Sequence, residues 1–222
     1  MHDPRAPQRG TPRYPGYDVL SKRTGPSWNE PTRRVVARRL AVGQEPLFFT
    51  ASEFQTVTAI AARILPQPST RSPVPVAPLI DHKLHLGACD GYRGTGMPRE
   101  GEAWRRGLRA LDVEARTAYG SAFHSLAAGL QDHLLSLMQR DEMSASEWGS
   151  MRPKDFFGKR MARDIVFAYY SHPTAWSEIG WGGPASPRGY VRLDFNDRDP
   201  WEAAEADGAD DTHVRRVNRH VR

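Results

Sequence analysis

The chain is poor in cysteine, in long apolar runs and in strand-like alternation, and each lack excludes something. Cys89 is the single cysteine in 222 residues, so no intrachain disulfide can form and the fold must stand on packing. No apolar stretch approaches the roughly 18 residues that span a bilayer. The N-terminal "MHDPRAPQRGTPRYPGYD" lacks the hydrophobic centre of a secretory signal. The pair Arg33–Arg34 is followed by "VVARRLAV", whose own charges spoil a twin-arginine signal. By sequence the chain is expected in the cytoplasm, or in the periplasm if a partner's signal carries it. No run alternates with period two for long enough to make a sheet. Proline, by contrast, is abundant at 18, and hydrophobic residues reach only 39%; a globular core with extended arms fits that balance.

The formal net charge is +5, but it is unevenly spread. Residues 1–41 carry nine Lys/Arg against three acids, and residues 213–222 add four Arg. Residues 42–212 therefore hold 18 basic and 23 acidic residues. A nucleic-acid groove would place its positive charge on the folded body, not in the tails. That distribution argues against nucleic acid as the partner.

Four regions follow from the pattern. Residues 1–46 read as an extended, basic, Pro-rich arm. Only "EPTRRVVARRLAV" could hold a short helix there, with Pro31 in its first turn. Residues 47–175 read as an all-α domain. Thr50 and Glu53 form a capping box for a helix whose apolar face is Phe54, Val57, Ala61 and Ile64. A second helix carries Pro78, Leu79, Ile80 and Leu84, with Gly87 at its end. A third carries Trp104, Leu108 and Leu111, and a fourth Leu130, Leu134, Leu137 and Met138. Ser144 and Glu147 are expected to cap a short helix holding Trp148. The last long helix presents Phe156, Phe157, Met161, Ile165, Val166, Tyr169 and Tyr170, and Pro173 stops it. Residues 176–204 read as an irregular aromatic Gly/Pro segment, and 205–222 as a charged tail without fixed structure.

Few constellations suggest chemistry. Asp81, His82, His85, Cys89 and Asp90 sit close in sequence, and helical spacing could group His82, His85 and Cys89 around a metal. Gly87 interrupts that helix before Cys89, and two surface histidines beside a small thiol explain the run equally. His172 reads as a histidine near a helix C-terminus, interacting with the last carbonyls. No Ser-His-Asp signature is present. "GWGGPASPRG" has the glycines of a dinucleotide loop, but Pro184 and Pro187 stand where the helix should open. No residue is therefore assigned to catalysis, to a cofactor or to a metal.

The order of "FFTASEF", "ILP", "APLIDHKL", "AWRRGLRALD", "LQDHLL", "FFGKRMARDIVFAYYSHPTAW" and "EIGWGGPASPRGYVRLDFNDRDPWE" resembles the gluconate 2-dehydrogenase subunit 3 family. The resemblance covers about residues 14–204. It implies an α-helical accessory subunit of a bacterial complex. Its large partner would be a flavoprotein of the glucose–methanol–choline type, holding FAD and oxidising a sugar, sugar acid or polyol. Some such complexes add a cytochrome c subunit. The family's frequent twin-arginine export signal and its extra cysteines are not visible here.

Tyr14, Tyr17, Trp28, Trp176, Trp181, Arg188, Tyr190 and Trp201 are the expected partner-interface residues. Aromatics and arginine anchor interfaces, and these lie in segments without regular structure. Two readings of other kinds stay open: a metal-dependent enzyme using His82 and His85, and a nucleic-acid-associated protein using the Arg-rich tails.

Overall fold

A computed structural model describes residues 12–69, 71–91, 93–186, 189, 198–206 and 211–221. Arg188 and Tyr190 lie outside the described residues. Among those described, the fold is all-α. Among the described residues the only extended pairing is an isolated bridge between Trp28 and Ser186. The chain divides into two units, one of residues 42–169 and one combining 1–41 with 170–222.

The unit of residues 42–169 is built on helices α2 (Ala51–Ile64), α3 (Val76–His85), α4 (Glu100–Tyr119), α5 (Ala128–Gln139), α6 (Pro153–Phe156) and α7 (Arg163–Tyr170), of which α7 runs one residue into the other unit. Both halves of the capping box at Thr50 and Glu53 are made. Ahead of α2 the chain is pinned by Asp81, 1% exposed. Its carboxylate accepts the backbone N–H groups of Leu47 (2.7 Å), Phe48 (3.1 Å) and Phe49 (2.8 Å). Trp104, Leu108, Leu111 and Ala115 stand at i, i+4, i+7 and i+11 of α4, and all are buried. Around Trp104 the rings of Phe49 and Phe156 pack edge-on, at 5.8 and 5.6 Å between centroids. Gly107 lets Phe156 approach: a Cβ at 107 would sit 2.4 Å from that ring.

Three local expectations change. On α5 the buried face is Gln131, Leu134, Leu135 and Met138, while Leu130 is 37% exposed. Ser144 does not cap the Trp148 turn; instead the N–H groups of Ser144 and Ala145 both donate to Glu114 at 2.7 Å. Between α6 and α7 the helix widens into a π turn, Phe157–Ala162. Such a turn inserts an extra residue and shifts which side chains face inward. Here it turns Arg160 and Met161 into the interior.

The other unit joins both ends of the chain. Asp18 caps a 3-10 turn over Val19–Thr24, and Asn29 caps α1 (Glu30–Leu40), with Pro31 in the first turn as expected. Pro173 ends α7 but also opens α8 (Pro173–Glu178), so Trp176 is helical and not part of an irregular segment. His172 caps α8, its Nδ1 accepting the Thr174 N–H at 3.3 Å. Residues 211–218, expected within an unstructured tail, form helix α9 (Asp211–Asn218). The described part of the N-terminal arm is likewise folded: Tyr17, Val19, Trp28, Val36, Trp176 and Val221 make a buried cluster.

Polar contacts tie this unit across the length of the sequence. The Asn218 amide, 1% exposed, donates to the carbonyls of Pro15 and Ala204 and accepts the Ala204 N–H. The ammonium of the fully buried Lys22 donates to the carbonyls of Gly182 (3.1 Å) and Trp201 (2.5 Å). Gly180 adopts φ 69°, and a Cβ there would meet the Tyr14 ring at 2.5 Å, so both backbone and space require glycine.

Candidate functional site

The expected interface residues divide by exposure. Trp28 and Trp176 are each 1% exposed and Tyr17 is 6% exposed, so their rings are spent in their own unit's core. The Trp176 indole N–H donates to the Tyr170 carbonyl at 2.6 Å, and the Arg39 guanidinium lies 5.8 Å over its ring. Tyr14 and Trp201 are half-buried. Trp181 alone of the described set presents a large face: it is 39% exposed and stacks edge-on against Trp176 at 4.9 Å. The Tyr17 hydroxyl donates to the Trp181 carbonyl at 3.3 Å, fixing that segment from behind.

A second exposed apolar surface lies on α7. Val166, Phe167 and Tyr170 are 39%, 57% and 43% exposed, while Ile165 and Tyr169 on the opposite side are buried. The Arg163 guanidinium covers part of Phe167 at 5.2 Å. In the sequence, Val166 and Tyr170 belong to the apolar pattern of the last long helix and Phe167 does not. The helical period would have separated them: Phe167 lies about 200° around from Ile165.

Inside the unit of residues 42–169 is a charged cluster. Asp164, 3% exposed, accepts the Trp104 indole N–H at 2.8 Å and pairs with Arg160, also 3% exposed, at 3.2 Å. Glu100 pairs with Lys83 at 3.1 Å and Arg160 at 3.2 Å. Asp90 pairs with Lys83 at 2.7 Å and lies 3.8 Å from Arg163. Burial pushes the Asp164 carboxyl above the usual carboxylate range, and its donors offset only part of that. Burial acts upward on Asp90 too, yet Lys83, Arg163 and Arg160 bring it below its ordinary value. Lys83 loses by burial but gains more from Asp90, Asp164 and Glu100, so its pKa is raised. Three carboxylates face three cations, and the cluster is self-neutralised. Such an arrangement fixes α3, α4 and α7 in one register.

Next to this cluster opens a cleft of about 1060 Å³. Phe48, Leu84 and Cys89 are among its apolar and neutral lining, and Arg93, Arg99 and Arg109 are among its charged lining. Glu100 is shared between cleft and cluster.

The metal reading of the histidine run meets a different geometry. His82, His85 and Cys89 are exposed, α3 ends at His85, and Asp81 is turned inward to the backbone before α2. Among the described residues no group of three His, Cys, Asp or Glu side chains is placed to hold a metal. His124 lies 3.3 Å from the Thr56 hydroxyl. Among the described residues no helix is long and apolar enough to cross a membrane.

Among the described residues, the fold and these surfaces define an all-α protein with outward-facing aromatic residues. Comparison with known families gives a match over residues 51–183 to the family described as gluconate 2-dehydrogenase subunit 3, and the chain belongs to that family. The match runs from the first residue of α2 to the glycines after α8, so the arm and the C-terminal helix fall outside it. No curated protein and no solved structure matches the chain.

Proposed function

We propose that the chain is the non-catalytic small subunit of a dehydrogenase complex. It binds and stabilises a large FAD-dependent partner of the glucose–methanol–choline type, which oxidises a sugar, sugar acid or polyol. FAD and the reacting groups belong to the partner, and a cytochrome c subunit can complete the complex. Family membership carries this reading, because its description is that of one subunit among several.

Two surfaces support an assembly role. Val166, Phe167 and Tyr170 keep apolar area in water along one side of α7. Contiguous exposed apolar area of that kind favours association, and aromatic residues dominate interface cores. Trp181 offers a second aromatic face, held by the buried Trp176 and Tyr17 beneath it. On this reading the buried members of the aromatic set act indirectly, by fixing the segment that carries Trp181.

The test is co-expression with a large flavoprotein subunit of the glucose–methanol–choline type from the same source. Phe167→Asp places a charge on the α7 surface, where the side chain is 57% exposed and contributes little to the fold. An aromatic anchor of this type is worth about 2 kcal/mol or more of binding, a loss of about thirty-fold in affinity. The expected outcome is loss of co-purification with unchanged helical circular dichroism. Co-purification at the level of the unaltered chain would count against this face.

A further inference from the structure

We propose that the cleft beside α4 is a docking groove for an acidic, extended segment of the partner polypeptide. The proposal rests on the complex described above for the partner's identity and on the cleft itself for the chemistry. Arg93, Arg99 and Arg109 are exposed at the cleft and make no hydrogen bond or ion pair among the described residues. Two other arginines of the same wall are occupied: Arg105 with Glu53 and the Phe48 carbonyl, Arg106 with Glu102. Glu100 is committed to Lys83 and Arg160. The free charge facing the cleft is therefore positive, in a molecule whose residues 42–212 carry an excess of acids. Glu147 is the remaining carboxylate at the cleft.

The spacing selects a linear occupant. Arg99 is the cap residue of α4 and Arg109 lies ten positions further on, about 15 Å along the helix axis. An isolated phosphate or carboxylate could engage only one of them. An extended chain advances about 3.3 Å per residue, so four or five residues reach from one to the other. Phe48 and Leu84 belong to the same lining and suit an apolar side chain among the acids. Arginine clusters reading acidic motifs are an established mode of peptide recognition.

Cys89 makes the groove directly observable, being the chain's single cysteine, exposed, and part of the lining. The experiment uses the full chain and a fluorescein-labelled peptide EDLEEDLE, with QNLQQNLQ as the uncharged control. Binding is followed by anisotropy, and in parallel by the rate at which a thiol reagent modifies Cys89. The acidic peptide is expected to bind and to slow Cys89 modification. R99E/R109E and the milder R99Q/R109Q should each weaken binding about ten-fold or more, as loss of paired charges does. Raising salt from about 50 to about 500 mM should weaken it further. Several results would overturn the proposal: no binding, equal binding of the uncharged peptide, binding indifferent to both variants, or no protection of Cys89. Protection by inorganic phosphate or gluconate without peptide binding would assign the cleft to small anions instead. A failed peptide arm with intact co-purification of the flavoprotein rejects the groove and leaves the complex standing.

Discussion

At the scale of single residues, the structure turns on side chains that serve the backbone. Asp81 accepts three N–H groups from residues 47–49 while almost fully buried. Asp81→Ala would strand those donors, at about 3 kcal/mol or more given one to three per unsatisfied group. Urea unfolding of the variant is expected to give a correspondingly lower midpoint. The role was hidden in the sequence, where Asp81 stands among His82, His85 and Cys89, and its partners lie more than thirty positions earlier. Asp141 offers a pH test. It occupies φ 66°, and Arg152, with help from Lys154, holds its carboxyl below the ordinary range. A depressed carboxylate stabilises the fold fully above its ordinary pKa of about 4, and that contribution fades as pH falls through the lower, folded value. Asp141→Asn keeps a residue type that tolerates positive φ but removes the titration. The acid limb of stability against pH should therefore be shallower in the variant, and an unchanged limb would reject the assignment. Asp164 acts with the opposite sign: its raised value means protonation at low pH favours the fold.

At the scale of elements, the helices were legible where capping and period agree. Thr50 and Glu53 mark the start of α2, and Trp104, Leu108 and Leu111 set the face of α4, with no help from distant residues. The π turn at Phe157–Ala162 was not legible, because an inserted residue leaves no compositional mark yet rotates everything after it. Within α7 itself the ordinary period holds, and Phe167 falls on the side away from Ile165. Gly107 shows how packing overrides propensity. Alanine is favoured over glycine in a helix by about 1 kcal/mol. Yet a methyl at 107 would lie 2.4 Å from the Phe156 ring, and overpacking of a tight core costs about 1–3 kcal/mol. Gly107→Ala should therefore be destabilising overall, and pairing it with Phe156→Leu should recover part of the loss in a double-mutant cycle. Additive losses in the double variant would mean the two positions do not oppose each other.

At the scale of the molecule, sequence reading found the helical body and missed the second unit. Its cluster needs Tyr17 and Trp28 from one end of the chain and Val221 from the other. The Asn218–Pro15 bond alone spans 203 positions. No local pattern announces a closure of that length, so segments rich in proline or charge read as arms. Their aromatic residues were the one available signal, and they serve the fold first: Trp28 and Trp176 are inside, while Trp181 and the α7 side chains remain outward. That division leaves the chain with surfaces suited to assembly, in keeping with its family. The most direct measurement expresses a large flavoprotein subunit of the proposed class with and without this chain, then follows its solubility, flavin content and dehydrogenase activity after size-exclusion chromatography. One co-eluting complex with flavin and activity is expected, and an insoluble or inactive flavoprotein when this chain is omitted. A flavoprotein that is soluble, flavin-loaded, active and monomeric by itself would contradict it.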